Sequence, residues 1–182
     1  WGAPGVERSA VTIFAVCKPT GSPGSETPLI HSNDGGRLNP FTNEWEENQA
    51  HYLTFGGNSP EDFYQDDPNL GGQVWASQDD KALTGLFQTA VYNSWFIHAH
   101  RGDEAGVRVW KDGTVAGNSG HGYGAEGDST FKIGKGDGAR YFVGECAELL
   151  VFNRALTDEE VEKVHLYLRS RYAISAPASS DF

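Results

Sequence analysis

Methionine is absent from the 182 residues, cysteine occurs only at positions 17 and 146, and basic side chains are few. Each shortage excludes something. Fourteen Lys and Arg against 25 Asp and Glu leave a formal charge of −11. That charge repels a phosphate backbone, so nucleic acid is excluded as a partner. No stretch approaches the roughly 20 uninterrupted apolar residues that a bilayer crossing needs, and no basic amphipathic segment offers a lipid anchor. A soluble chain without membrane insertion is expected. The two cysteines match no metal-ligand spacing such as C-x-x-C, which leaves either one bridge or two buried thiols. A chain that starts at Trp1 and holds no Met reads as a mature or excised piece. With few Lys and an acidic surface, the expected location is extracellular, periplasmic or at the cell surface.

Glycine and aromatics are what the chain has in quantity: 23 Gly, five Trp, seven Tyr and ten Phe. That composition suits short strands joined by tight turns, so an all-β domain is expected. The length allows one core. Val11 to Lys18 alternates with apolar residues on both faces, as a strand covered on two sides would. Further strands are read at Pro28 to Asn33, Ala50 to Gly56, Gln73 to Ser77, Leu83 to Tyr92, Trp95 to Arg101, Gly106 to Lys111, Thr114 to Ala116, Thr130 to Gly134 and Tyr141 to Asn153. Asp112-Gly113 between alternating runs predicts a tight hairpin, because both central positions need positive φ. Gly144 interrupts the last run and predicts a bulge or a close approach of two backbones. Asp34 to Gln49, Ser59 to Gly72 and Gly117 to Ser129 read as loops. One helix is predicted, Asp158 to Tyr172, with Thr157 as N-cap, Glu160 completing a capping box and Val161, Val164 and Leu168 on one stripe. Ser175 to Phe182 reads as a flexible tail, leaving 1–174 as the domain.

The run Phe142-Val-Gly-Glu-Cys-Ala-Glu-Leu-Leu-Val-Phe-Asn-Arg-Ala-Leu-Thr-Asp-Glu-Glu160 closely resembles the closing signature of laminin-G-like jelly-roll domains of the concanavalin A-like lectin and glucanase superfamily. Val11 to Pro19 and Trp95 to Gly113 are similar to two further segments of that family. The resemblance implies a two-sheet antiparallel jelly-roll sandwich with one C-terminal amphipathic helix. Family members carry several dozen more residues before the segment matched by Val11, so missing N-terminal strands or a trimmed sandwich are both open. It also implies that Val11 to Lys18 neighbours the closing strand, which would bring Cys17 and Cys146 together. A bridge there would stabilise by roughly 4 to 5 kcal/mol in the loop-entropy view. Two buried thiols are the alternative.

The same resemblance frames the chemistry. Glucanases of the superfamily carry Glu-x-Asp-x-x-Glu on one strand, so that both carboxyls reach one groove about 5 to 5.5 Å apart. No such string is present here, and Glu145 and Glu148 fall on opposite faces of an ideal strand. Lyases on this sandwich use His, Tyr and Arg, which draws attention to His98, His100 and Arg101. Period two places His98 and His100 beside Phe96, with Trp95, Ile97 and Ala99 opposite. His-x-His can also bind zinc where a third ligand converges. Packed, hydrogen-bonded histidines are the favoured alternative. Calcium is the more plausible ion, with Asp34, Asp66, Asp67, Asp79, Asp80 and Glu148 as oxygen donors, against solvated surface acid. Gly122 to Gly127 matches G-x-G-x-x-G but opens no helix, so no nucleotide cofactor is implied.

Glycan sites combine open aromatic rings with polar partners, because sugar faces stack on rings while hydroxyls need hydrogen bonds. Tyr52, Trp75, His98, His100 and Trp110 are the groove candidates, with Trp45 and Tyr123 from loops. Trp95 is assigned to the core. The expected function is therefore a non-catalytic, lectin-like carbohydrate-binding module of a larger exported bacterial protein, whose partner is a glycan or polysaccharide and whose neighbours are other domains of that parent. A protein-binding adhesion module and a polysaccharide lyase or glycoside hydrolase are the alternatives.

Overall fold

The structure, a computed structural model, describes residues 10–20, 27–32, 37–38, 45–46, 51–55, 73–78, 81–82, 93–103, 106–119, 131–135 and 141–175. Its elements are β1 (Val11–Pro19), β2 (Thr27–Ser32), β3 (Arg37–Leu38), β4 (Trp45–Glu46), β5 (His51–Phe55), β6 (Gln73–Gln78), β7 (Lys81–Ala82), β8 (Phe96–Asp103), β9 (Gly106–Lys111), β10 (Thr114–Ser119), β11 (Phe131–Ile133), β12 (Gly144–Phe152) and α1 (Asp158–Tyr172). The first sheet runs β10-β9-β8-β1-β12 and the second β11-β2-β5-β6-β7, with β3 and β4 as a separate pair. All named pairings are antiparallel, and the architecture is a jelly-roll sandwich with one C-terminal helix. The predicted Asp34 to Gln49 loop therefore contains a short ladder, and β10 runs on to Ser119, past the predicted Ala116. The Leu83 to Tyr92 segment and the 176–182 tail lie outside the described residues.

β1 is an interior strand, paired on one side with β8 and on the other with β12. The neighbouring placement of the first and last strands expected from the resemblance is thus present. Val11 and Ile13 to Cys17 are all buried, which explains the apolar character of both faces of that run. Asp112 and Gly113 hold φ of 52° and 94°, the paired positive values of the predicted hairpin. The turn is tied to β8 from both sides: Asp112 N donates to Ile97 O at 2.9 Å, and Ile97 N donates to Asp112 Oδ1 at 2.8 Å.

Gly144 is the close approach rather than the bulge. A Cβ there would sit 2.5 Å from Lys18 O and 2.9 Å from Pro19 Cα. The register slips three residues later, where Val16 faces Glu148 and Cys17 faces Cys146, leaving Ala147 as the extra residue. That slip reverses the alternation, so Glu145 and Glu148 share one face.

The helix starts as predicted. Glu160 N donates to Thr157 Oγ1 at 3.2 Å and Thr157 N to Glu160 Oε2 at 2.9 Å, closing the capping box. Ala173 at φ 52° ends it. The helix seals one face of the first sheet: Leu156, Val161 and Leu168 pack with Phe14, Val16, Ile97, Ala99 and Trp110. Its approach is anchored by the buried Thr12 hydroxyl, which donates to Arg154 O at 3.0 Å and accepts from Leu156 N at 2.9 Å. Arg101 then donates to Leu156 O and Asp158 Oδ1, each at 2.7 Å, while Arg108 donates to Asp158 Oδ2 at 2.8 Å. These guanidiniums hold the Asp158 carboxyl below its ordinary range.

Candidate functional site

Residues opposed across a ladder share a face, and the registers sort the candidates accordingly. On the first sheet, Phe14, Ala99 and Trp110 form one row beneath the helix. Trp110 is 5% exposed, with Arg101 Cζ 5.3 Å and Arg108 Cζ 6.0 Å from its ring centre. Its ring is part of the core and is closed to a sugar, which corrects its place among the groove candidates. The expectation for Trp95 is corrected in the opposite sense. It precedes β8 and is 39% exposed, with Lys18 Nζ 5.5 Å from its ring. Lys18 in turn pairs with Glu145.

The other face of the first sheet, opposite the helix, carries Ala15 opposite His98 and Ile13 opposite His100. Both histidines are fully buried. His98 Nε2 and His100 Nδ1 are 3.4 Å apart, so one ring nitrogen donates and the other accepts, according to tautomer. His98 Nδ1 has no hydrogen-bond partner among the described residues. Burial, with nearby His165 adding to it, pushes the His98 pKa down to about 3. Packed histidines beside buried Phe96 describe this pair. An acid–base catalyst at neutral pH needs a pKa near that pH and access to its substrate, and His98 has neither.

Glu148 is engaged on the helix side. Tyr172 donates to its Oε2 at 2.7 Å and Arg171 Nε lies 3.2 Å away. The reversed alternation puts this carboxylate under α1, where it anchors the helix C-terminal turn instead of standing free for an ion. Among the described residues, no three His, Cys, Asp or Glu side chains are grouped so as to hold a metal. Asp34, Asp66, Asp67, Asp79, Asp80 and Tyr123 lie outside the described residues. Cys17 and Cys146 are free thiols facing each other across β1 and β12, Cys17 buried and Cys146 exposed.

The second sheet brings two candidates together. Tyr52 on β5 stands directly opposite Trp75 on β6, and on its other side opposite His31 on β2, which is opposite Lys132 on β11. Lys132, His31, Tyr52 and Trp75 therefore form one row across four strands. The adjacent row is Ile133, Ile30, Leu53 and Val74, apolar throughout. Adjacent rows lie on opposite faces of a sheet. His31 and Lys132 were not among the sequence candidates, because a single strand shows its alternation but not which residues of distant strands fall in register with it. Trp45 lies on β4 opposite Leu38, in a separate two-stranded ladder.

A family profile described as concanavalin A-like lectin/glucanases superfamily (Laminin_G_3) matches residues 3–162. A search of curated proteins returns no match. Among solved structures, domain 4 of AbnA, an extracellular arabinanase from Geobacillus stearothermophilus solved with arabinotriose, is similar at 17% identity and a TM-score of 0.61. The match covers 88% of this chain and 68% of that one. A putative carbohydrate binding protein from Bacteroides ovatus is similar at 15% identity and a TM-score of 0.63, over 90% of this chain and 42% of that one. The heptameric SAP-like pentraxin of Limulus polyphemus matches at 14% identity and a TM-score of 0.56, over 86% and 70% of the two chains. At these identities the likeness to solved structures is one of fold. The profile covers most of the chain, which belongs to the concanavalin A-like lectin/glucanases superfamily.

Proposed function

We propose that this domain is a non-catalytic, lectin-like carbohydrate-binding module of a larger exported protein, and that a glycan lies along the second-sheet face carrying His31, Tyr52 and Trp75. The observation that carries the reading is the register row itself. The register brings two aromatic residues, a histidine and a lysine into one row, the residue types that stack on sugar faces and hydrogen-bond their hydroxyls. The apolar row Ile30, Leu53 and Val74 on the opposite face has the composition that a sandwich turns toward its core. Ile133, at the end of that row on β11, is exposed.

Two structural relatives support the substrate class: the AbnA domain solved with arabinotriose and the Bacteroides protein titled as carbohydrate binding. The sealed histidine pair argues against acid–base chemistry on the first sheet. No helix among the described residues is long and apolar enough to cross a membrane. Asp34, Asp66 and Asp67 are the proposed oxygen donors for a calcium ion.

A glycan panel that includes arabino-oligosaccharides, run with and without chelator and followed by assays for new reducing ends and unsaturated products, tests the reading. Binding with the glycan left intact is expected. Failure to bind any glycan would leave the protein-binding alternative, and product release would make the domain an enzyme. Loss of binding on chelation would assign calcium a part, and unchanged binding would remove it.

A further inference from the structure

Cys17 and Cys146 are directly opposed in the β1–β12 ladder. Opposed residues of an antiparallel pair have Cα atoms about 4.5 to 5.5 Å apart and project to the same face. That separation falls inside the window of about 4.4 to 6.8 Å that a disulfide spans. The two thiols differ sharply in access, since Cys17 is fully buried and Cys146 is exposed. Cys146 Sγ contacts Glu148 O at 3.6 Å, a weak bond that is readily given up. Ala147, the extra residue of the bulge, follows Cys146 immediately, and bulges of this kind re-aim the side chains beside them.

We infer that Cys17 and Cys146 close a cross-strand disulfide when the protein meets a low-molecular-weight disulfide, with Cys146 as the entry thiol and Cys17 as the resolving thiol. In the first step Cys146 loses its proton and its thiolate attacks the reagent, forming a mixed disulfide and releasing one thiolate that takes up a proton. In the second, the Cys17 thiolate attacks the Cys146 sulfur, the protein disulfide forms and the second reagent thiol leaves. Two protein thiols are oxidised and one reagent disulfide is reduced to two thiols. Burial, then neighbouring Cys146 and Asp112, raise the Cys17 thiol well above its ordinary range. Burial raises the Cys146 thiol as well, so both steps accelerate as pH rises. Closure ties the first described strand to the last one, across most of the chain length.

Oxidised glutathione added to the full chain, with intact mass and thiol counting after denaturation, is the test. The expected product is a monomer lighter by two hydrogens with no free thiol. Its thermal midpoint lies about 10 to 20 °C above that of the reduced protein, for a crosslink of this loop length. Cys17→Ser should stop at a glutathione adduct on Cys146, and folded Cys146→Ser should stay unmodified. A wild-type protein that keeps both thiols, accumulates a lasting adduct on Cys146, or crosslinks only between molecules would overturn the inference. The midpoint comparison needs only wild type, so it stands even where a variant folds poorly.

Discussion

Acid should destabilise this domain well before its carboxylates titrate. His98 and His165 are buried as neutral rings, with pKa values pushed from 6.5 to about 3 and about 4, chiefly by burial. His98 faces His100. His165 lies with its Nδ1 3.0 Å from Val161 O, packs edge-on against Phe14 at 5.2 Å, and feels the charge of Arg169. Each folded-state value is depressed, so the unfolded chain binds more protons below pH 6.5. The stability is complete above that value and is lost as pH falls toward the folded values. Between pH 7.5 and 5 the linkage relation gives a loss of about 2 kcal/mol for each ring, or about 4 kcal/mol together. Asp158 and Glu160, whose folded values are also lowered, add their share only at lower pH. A loss of that size is a large part of the roughly 5 to 15 kcal/mol that holds a domain together. Urea unfolding followed by Trp fluorescence at a series of pH values measures it directly. His165→Gln should remove about half of the pH-dependent loss, because only His98 then remains of the pair. Equal stability at pH 7.5 and 5, or parallel curves for wild type and variant, would refute the reasoning.

Other substitutions test the fold at single points. Gly144→Ala should cost about 1 to 3 kcal/mol in urea unfolding, since its Cβ would press on the Lys18 carbonyl at 2.5 Å. Thr12→Val removes the hydroxyl that satisfies Leu156 N and Arg154 O, and about 1 to 3 kcal/mol should go with it. Thr157→Ala, at the helix cap, should lose about 1 kcal/mol, seen as a lower denaturation midpoint with unchanged slope. Trp110→Ala should lower stability by about 3 to 5 kcal/mol, because the ring fills the core beneath α1.

Local chemistry made much of the fold legible. Asp112-Gly113 and the Thr157–Glu160 capping box each specify a backbone geometry within a few residues, and the structure has both at the expected positions. The β1 pattern was likewise readable, because a run apolar on both faces suits a strand covered on two sides. What was not readable depends on distant partners. The bulge fell at Ala147 and not at Gly144, since register is a property of two strands and a glycine in one of them signals only a possible irregularity. Trp95 and Trp110 exchanged roles because period two separates faces without saying which face a helix from the far end of the chain will cover. The Tyr52–Trp75 pairing and the addition of His31 likewise required the strand order of the second sheet.

The central claim, a glycan held at the Tyr52 and Trp75 face, is tested most directly by calorimetric titration of wild type and of Tyr52→Ala and Trp75→Ala with the tightest glycan from the panel. Each lost stacking contact should weaken binding by about 1 kcal/mol or more, several-fold in Kd, with the thermal midpoint nearly unchanged. Wild-type affinity in both variants would contradict the claim.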